Sequence, residues 1–180
     1  MRGLMLALLF VAGKAGAQVC APQAVPPVNA CAQGGRVTLA VAGDVLVHQA
    51  LAVRGYRRGF SSLWGVAEPI LRAADLALVN LEGPVAAGFA RGGRRVADPG
   101  PVFDDVVYTD YPAFNYHPML IDALRDAGVD AVTTANNHSL DRGPAGLDAT
   151  LAALDAAGMR HVGAGRGGEA GWQPLRVQTA

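Results

Sequence analysis

Three apolar segments of the chain end in polar side chains that could bind a metal ion or move a proton. The residues are Asp44 and His48 after the first segment, Asn80 and Glu82 after the second, and Asn136, Asn137, His138 and Asp141 after the third. Carboxylate, imidazole and carboxamide groups can ligate divalent ions. Two adjacent metal ions could activate a water and stabilise a leaving oxygen in hydrolysis. This pattern predicts a metal site built at three strand ends.

Ordinary structural roles also fit some of these residues. Turn or packing positions would suit four of them: Asp44, His48, Asn80 and Glu82. Asp141 could orient His138, or it could cap a helix that begins near Pro144. The segment Asn136–His138 favours a site most strongly, because two carboxamides and an imidazole end an apolar run over Ala131–Ala135.

The elements around these residues alternate between strand and helix. Apolar, β-prone runs predict strands over Val37–Ala42, Leu76–Leu81 and Val129–Ala135, and around His161-Val162. Helical spacing predicts helices over Trp64–Ala73 (shortened or kinked by Pro69), Met119–Ala127, and from about Pro144 to Gly158. This alternation predicts an α/β fold with a mainly parallel sheet. In such a sheet the loops at the carboxyl ends of the strands gather around a ligand.

The stretch Pro84–Tyr116 has no clear period and is predicted to be an irregular loop, either functional or mobile. It contains a basic cluster, Arg91, Arg94 and Arg95, which we interpret as a solvated loop that could contact an anionic polymer. The whole chain has 15 basic and 15 acidic residues, and no aromatic stacking pattern accompanies the arginines. We therefore predict no nucleic-acid binding.

The N-terminus has the features of a secretory signal peptide over residues 1–17. Arg2 is followed by the apolar run Leu4–Ala12 and by a small-residue cleavage signal at Ala15–Ala17. The predicted location is therefore secreted or periplasmic, with an uncleaved membrane anchor as the alternative. The only lysine, Lys14, would leave with the leader, which excludes a lysine-dependent phosphate loop or Schiff base in the mature form.

Residues 18–35 form an irregular, proline-containing segment before a domain predicted over residues 36–180. Cys20 and Cys31 lie in this segment, and an oxidising compartment would favour a disulfide between them. A lipid anchor on Cys20 is the weaker alternative.

Several ordered motifs carry a resemblance to a known family. They are Gly43-Asp44-Val45-Leu46, Asn80-Leu81-Glu82-Gly83-Pro84, Asn136-Asn137-His138 and Asp141-Arg142-Gly143, followed by Val162-Gly163-Ala164-Gly165. In this order they resemble CapA-type proteins (PGA_cap domain) of the calcineurin-like metallophosphatase superfamily. The resemblance covers roughly residues 36 to 166. It implies the N-terminal half of a metallophosphatase-like αββα sandwich and an association with poly-γ-glutamate capsule synthesis or export.

The resemblance also implies roles for the strand-end residues. The metal ligands would be Asp44, Asn80, Glu82 and Asn137, with His48 as a further candidate at a position where the family varies. His138 would lie near the substrate oxygen. Beside the resemblance, the spacing of Asp141 makes it the second candidate catalytic residue, as the group that orients His138. The cofactor would be one or two divalent metal ions. Related proteins continue into a histidine-rich motif, whereas no histidine follows His161 here. A C-terminally truncated domain is therefore expected.

Two functions fit these expectations. The first is a metal-dependent hydrolase, or a remnant of one, acting on a phosphoester in the envelope. The second is a non-catalytic exported protein that binds or helps assemble an anionic polymer, together with membrane-associated capsule machinery.

Overall fold

The computed structural model describes residues 36–167 and 173–178. The predicted signal peptide, the proline-containing segment and the Cys20–Cys31 pair lie outside these ranges, and they stay predictions. Within the two ranges, no helix combines the length and apolar character needed to cross a membrane.

Strands and helices alternate along the chain. The strands are β1 (Leu39–Val45), β2 (Leu76–Leu81), β3 (Ala131–Thr133) and β4 (Arg160–Val162). The helices are α1 (Gln49–Arg58), α2 (Ser61–Trp64), α3 (Glu68–Ala73), α4 (Met119–Asp126) and α5 (Gly143–Ala156). The four strands form one sheet in the order β1-β2-β3-β4, and every neighbouring pair is parallel. The predicted α/β fold with a parallel sheet is confirmed.

One face of the sheet forms the core. Ala77, Val79 and Leu81 of β2 alternate with less buried residues and point to the same side as Val132 of β3. Val79, Leu81 and Val132 belong to a buried cluster that also contains α4 and α5 residues, including Leu120, Leu124, Leu151 and Leu154. Because α4 and α5 each present several buried residues to this face, the helices hold β2 and β3 in place.

The opposite face is apolar but open at its β1 side. Leu39 and Val41 are 61% and 71% exposed, and they stand in register with Leu76 and Leu78 of β2. Parallel sheets are usually covered on both faces. This face is therefore exceptional for the fold.

The predicted elements differ from the observed ones in four places. The first strand was predicted over Val37–Ala42, whereas β1 is Leu39–Val45 and includes Asp44. The helix predicted over Trp64–Ala73 is divided into α2 and α3, and Pro69 lies in the first turn of α3, where its missing N–H costs nothing. Helix α1 was not predicted, because its buried positions are the small residues Ala52 and Gly55. The strand predicted over Val129–Ala135 is shorter, since β3 ends at Thr133.

The stretch from Pro84 to Tyr116 is irregular, as predicted, but it is packed. A 3-10 turn at Arg91–Gly93 and two isolated bridges are its regular features. Its buried residues include Val85, Phe89, Tyr108 and Phe114. Asn115 has no exposed surface, and its amide group bonds to the backbone of Ala86, Phe89 and Val107. One buried carboxamide therefore provides hydrogen-bond partners for backbone groups that would be paired within a helix or sheet in a regular element.

Candidate metal centre and histidine–aspartate pair

The parallel sheet brings the first two predicted strand ends side by side. Asp44 lies within β1, rather than after it, and is the register partner of Asn80 in β2. Asn80 is in turn the register partner of Thr133 in β3. Because registered residues in parallel strands point to the same side, the Asp44 and Asn80 side chains meet on the open face of the sheet.

Asp44 and Glu82 converge on one amide group. Asn80 Nδ2 donates to Asp44 Oδ1 at 2.8 Å and to Glu82 Oε2 at 2.6 Å. Glu82 is 8% exposed, whereas Asp44 is exposed. Within residues 36–167 and 173–178, neither carboxylate forms an ion pair with a basic side chain. Among the described residues, the two close carboxylates therefore have one polar partner, the neutral Asn80 amide.

Asn136 joins this centre to the end of β3. Its Nδ2 donates to Asn80 Oδ1 at 3.1 Å and to the Leu81 carbonyl at 2.8 Å. The oxygen of Asn80 is therefore already engaged, and its amino group faces the carboxylates. A cation between Asp44 and Glu82 would have to displace this amino group, or the Asn80 amide would have to turn to offer its oxygen.

Tyr116 fixes the backbone behind the two carboxylates. Its hydroxyl donates to the Glu82 carbonyl at 3.0 Å and accepts the Val47 N–H at 3.3 Å. Burial raises the pKa of Tyr116 well above its usual range, so the hydroxyl stays protonated and available as a donor. One side chain thereby connects the segments that follow β1 and β2.

The turn after β3 is held by its own polar side chains. Ser139 Oγ donates to the Thr134 carbonyl at 2.8 Å and accepts the Asn136 N–H at 3.3 Å. The N–H of His138 donates to Asn136 Oδ1 at 3.1 Å. These local bonds replace strand pairing at this point. In this turn the Asn136 side chain contacts β2, whereas the His138 side chain contacts Asp141.

His138 and Asp141 form a close pair. His138 Nδ1 lies 2.8 Å from Asp141 Oδ2, and the two side chains are 16% and 14% exposed. The same carboxylate oxygen accepts the Phe114 N–H at 2.7 Å. Asp141 thus orients the imidazole, as predicted for a partner of His138. The alternative of helix capping does not apply, because the residue at the N-cap of α5 is Arg142 and the helix has no side-chain cap.

The ring of Phe114 lies between two histidines. Its centroid is 4.7 Å from that of His138 and 5.5 Å from that of His48, with an edge-to-face arrangement in both pairs. His48 Nδ1 lies 3.7 Å from Asp110 Oδ2. The described contacts of His48 are therefore with Phe114 and Asp110, not with the carboxylates of Asp44 and Glu82, and its proposed ligation stays a prediction.

The donors around Asp44 fit a divalent ion in part. The described residues contain no group of three or more His, Cys, Asp and Glu side chains arranged for a metal. They offer the carboxylates of Asp44 and Glu82 around the Asn80 amide. Asn137 is exposed and forms no hydrogen bond with a described residue, so its role as a ligand stays a prediction. Oxygen donors of this kind suit hard divalent ions. The carboxylates of Asp44 and Glu82 give the site its negative charge.

The basic cluster is largely engaged in local contacts. Arg91 pairs with Asp105 at 2.9 Å, and the guanidinium of Arg95 lies 4.5 Å from the ring centroid of Phe89. Arg94 is exposed. The predicted solvated loop therefore agrees with the structure, while contact with a polymer stays a prediction.

Asn136 was among the predicted strand-end residues, and it bridges β2 and β3. One important residue, Phe114, was not predicted as part of the site. Phe114 supplies both an N–H and a ring to the histidine–aspartate pair. No local pattern could identify it, because its partners lie 24 to 27 residues away along the chain.

The fold and these strand-end groups define an α/β domain with a polar centre at the carboxyl ends of its parallel strands. The family model described as "Bacterial capsule synthesis protein PGA_cap" matches residues 38–180. The chain belongs to this family, which confirms the resemblance to CapA-type proteins.

Two relatives show the extent of the similarity. "Uncharacterized protein y4uA" of Sinorhizobium fredii is 32% identical over 128 residues, which cover 71% of this chain and 24% of the relative. A "Probable polyglutamine synthesis accessory protein" of Mycobacterium tuberculosis is 36% identical over 104 residues, covering 57% of this chain and 23% of the relative. The chain thus spans about a quarter of the length of the curated relatives it matches.

Proposed function

We propose that this chain acts in the synthesis or export of a poly-γ-glutamate capsule polymer, as an exported divalent-metal-dependent hydrolase of the phosphoesterase type. The family description and the printed name of the M. tuberculosis relative support the role in capsule polymer synthesis. The strand-end groups support the hydrolase. The observation that carries the proposal is the convergence of Asp44 and Glu82 without a basic partner.

An uncompensated buried carboxylate is costly, because burial in a medium of low dielectric raises the energy of a charge. Glu82 is nearly buried, and within residues 36–167 and 173–178 the only polar contact of its carboxylate is the Asn80 amide. A protein retains such a group where a cation compensates it or where function needs its charge. Metal binding would satisfy both carboxylates at once.

Asp44 and Glu82 would hold the ion, with the oxygens of Asn80 and Asn137 as further ligands. A bound divalent ion would polarise a phosphoryl oxygen and lower the pKa of a bound water. The chain itself supplies the oriented pair. Asp141 fixes His138 through Nδ1 at 2.8 Å, so Nε2 is the atom left to hold or protonate a substrate oxygen.

The test is hydrolysis of bis(p-nitrophenyl) phosphate by the full chain with added Mn²⁺. We expect p-nitrophenol release that stops with a chelator. Asp44→Asn and Glu82→Gln should each lower the rate at least about tenfold, because each removes a charged metal ligand. Asp141→Asn should lower kcat by about 10²-fold, a typical contribution of an oriented acid–base group.

Asp148→Asn is the matched control, because Asp148 is an exposed α5 carboxylate outside the site. Its rate should equal that of the wild type. If the protein binds poly-γ-glutamate but hydrolyses no phosphodiester with any added metal, the non-catalytic polymer-binding function is favoured instead. Hydrolysis that survives the loss of both carboxylates would refute the assignment of the centre.

A further inference from the structure

We infer that Arg142 is a positioning residue: from inside the core it fixes the irregular loop 84–116 so that Phe114 sets the geometry of Asp141 and His138. The inference deepens the proposed function, on which it rests for its catalytic consequence. Its structural content concerns a buried arginine that touches neither the carboxylates of the candidate metal centre nor the His138 ring.

Arg142 is fully buried, and its partners are neutral. Its guanidinium donates to four backbone carbonyls and one hydroxyl. Nε bonds to Phe89 O at 3.1 Å, Nη1 to Ala113 O at 3.3 Å and Asp141 O at 3.0 Å, and Nη2 to Val107 O at 3.2 Å and Thr109 Oγ1 at 2.6 Å. Each acceptor compensates part of the desolvation cost of the charge.

The charge of Arg142 persists at neutral pH. Burial lowers the pKa of Arg142 to about 10, with a smaller contribution from the nearby charge of Arg91. A charged fork of donors can bind several carbonyls in a fixed geometry, which a flexible lysine could not do as well.

Arg142 shares its loop acceptors with Asn115. Both side chains bond to the carbonyls of Phe89 and Val107. The two side chains therefore hold the two arms of the loop to each other. Arg142 adds a connection that Asn115 lacks, because it belongs to the segment that carries His138 and Asp141.

The link to the histidine–aspartate pair passes through two adjacent residues of the loop. Arg142 Nη1 binds the carbonyl of Ala113, and the next N–H, that of Phe114, binds Asp141 Oδ2. Thr109 strengthens the link, since its hydroxyl donates to Ala113 O and accepts from Arg142. Asp141 and Arg142, neighbours in sequence, thus hold consecutive groups of the loop backbone.

Close packing leaves Arg142 little freedom. A Cβ added at Gly146 would fall well inside van der Waals contact with Arg142 Cβ. A Cβ added at Gly93, which has φ +76°, would lie 3.0 Å from the Arg142 carbonyl oxygen. The two glycines therefore allow the loop and α5 to close around this residue.

The test uses Arg142→Met and Thr109→Val in the full chain, observed by NMR without metal or substrate. Met fills much of the same volume without the charge, and Val removes one acceptor while keeping Arg142. In both variants we expect amide hydrogen exchange at Phe114 to rise at least about tenfold relative to that at Val132 in β3. We also expect the ring-current shifts of the His138 imidazole protons to decrease, because the Phe114 ring no longer lies at 4.7 Å.

Arg125→Met is the matched control, because Arg125 is an α4 arginine with exposed ion pairs. It should change neither signal. A general loss of stability would raise exchange at Phe114 and Val132 together and would overturn the inference, as would unchanged His138 shifts in both variants. If Arg142→Met does not fold, Thr109→Val alone decides the outcome.

Failure of the proposed function gives a different result. If the wild type hydrolyses no phosphodiester but Phe114 and His138 respond as expected, Arg142 still positions the pair and the hydrolase proposal fails. If the wild type is active, and Thr109→Val changes neither kcat nor the NMR signals of Phe114 and His138, the positioning inference alone fails.

Discussion

Replacing Glu82 by glutamine should separate stability from metal binding. Asp44 Oδ1 and Glu82 Oε2 accept from the same nitrogen at 2.8 and 2.6 Å, so the two oxygens lie no more than about 5.4 Å apart. At about 5 Å, two unit charges repel by about 1 kcal/mol in a water-like medium and about 3 kcal/mol at an effective dielectric constant of 20. Because Asp44 is exposed, the lower value applies.

Glu82→Gln removes this repulsion but keeps an oxygen that can accept from Asn80. The metal-free variant should therefore be as stable as the wild type, or more stable by about 1 kcal/mol. Mn²⁺ at 100 times its dissociation constant should stabilise the wild type by about 2.7 kcal/mol, since it binds the folded state alone. The variant should lose most of this gain. Urea unfolding with and without Mn²⁺ measures both quantities.

Glu68→Gln is the matched control. Glu68 lies in the first turn of α3, pairs with Arg72 and is not part of the candidate metal centre. It should cost about 0.5 kcal/mol or less and leave the Mn²⁺ effect unchanged. The reasoning is refuted if Glu82→Gln destabilises the metal-free protein by more than about 1 kcal/mol and the Mn²⁺ effect persists.

Two further predictions concern the packing and the titration of the fold. Gly146→Ala should destabilise the protein by about 1–3 kcal/mol in urea unfolding, since the new methyl group meets the fixed Arg142. Gly167→Ala should be neutral, because the space around Gly167 is open. Equal effects of the two substitutions would contradict the packing argument. Burial lowers the pKa of His117, whose Nδ1 accepts the Met119 N–H at 3.1 Å. The unfolded chain then binds the proton more readily, so stability should fall as pH drops below about 6.5. His117→Gln should reduce this loss of stability at low pH, measured by urea unfolding at several pH values. An unchanged dependence of stability on pH would contradict the role of His117.

Much of the sheet could be predicted because apolar strands have a short, local signal. β2 coincides with the predicted strand Leu76–Leu81. Gly128 and Gly158 follow α4 and α5 with φ of +99° and +66°, which explains why they mark helix ends in the sequence. Because parallel strands end at the same edge of a sheet, the same local signal predicts that Asp44 and Asn80 lie close together.

The irregular loop could not be predicted in this way. Its structure depends on Asn115 and Arg142, whose partners are backbone groups up to 53 residues away. A carboxamide and a guanidinium in a sequence indicate surface or loop positions more often than a core. Their burial follows only from the tertiary fold, and so does the place of Phe114 between the two histidines.

Asn80 shows a subtler difference. Its residue type predicts an oxygen ligand, yet its oxygen accepts from Asn136 and its amino group faces Asp44 and Glu82. A hydrogen-bond donor thus lies between the two carboxylates, where the proposed cation would bind. Sequence identifies the groups that meet there, whereas their orientation depends on the bond from the neighbouring strand end.

The most direct test of the account is calorimetric titration of the full chain with Mn²⁺, compared with Asp44→Asn and the Asp148→Asn control. We expect saturable binding to the wild type and the control, with affinity reduced at least about tenfold in Asp44→Asn because a charged ligand is lost. Absence of saturable binding to the wild type, or equal affinity in all three proteins, would contradict a metal centre at Asp44, Asn80 and Glu82.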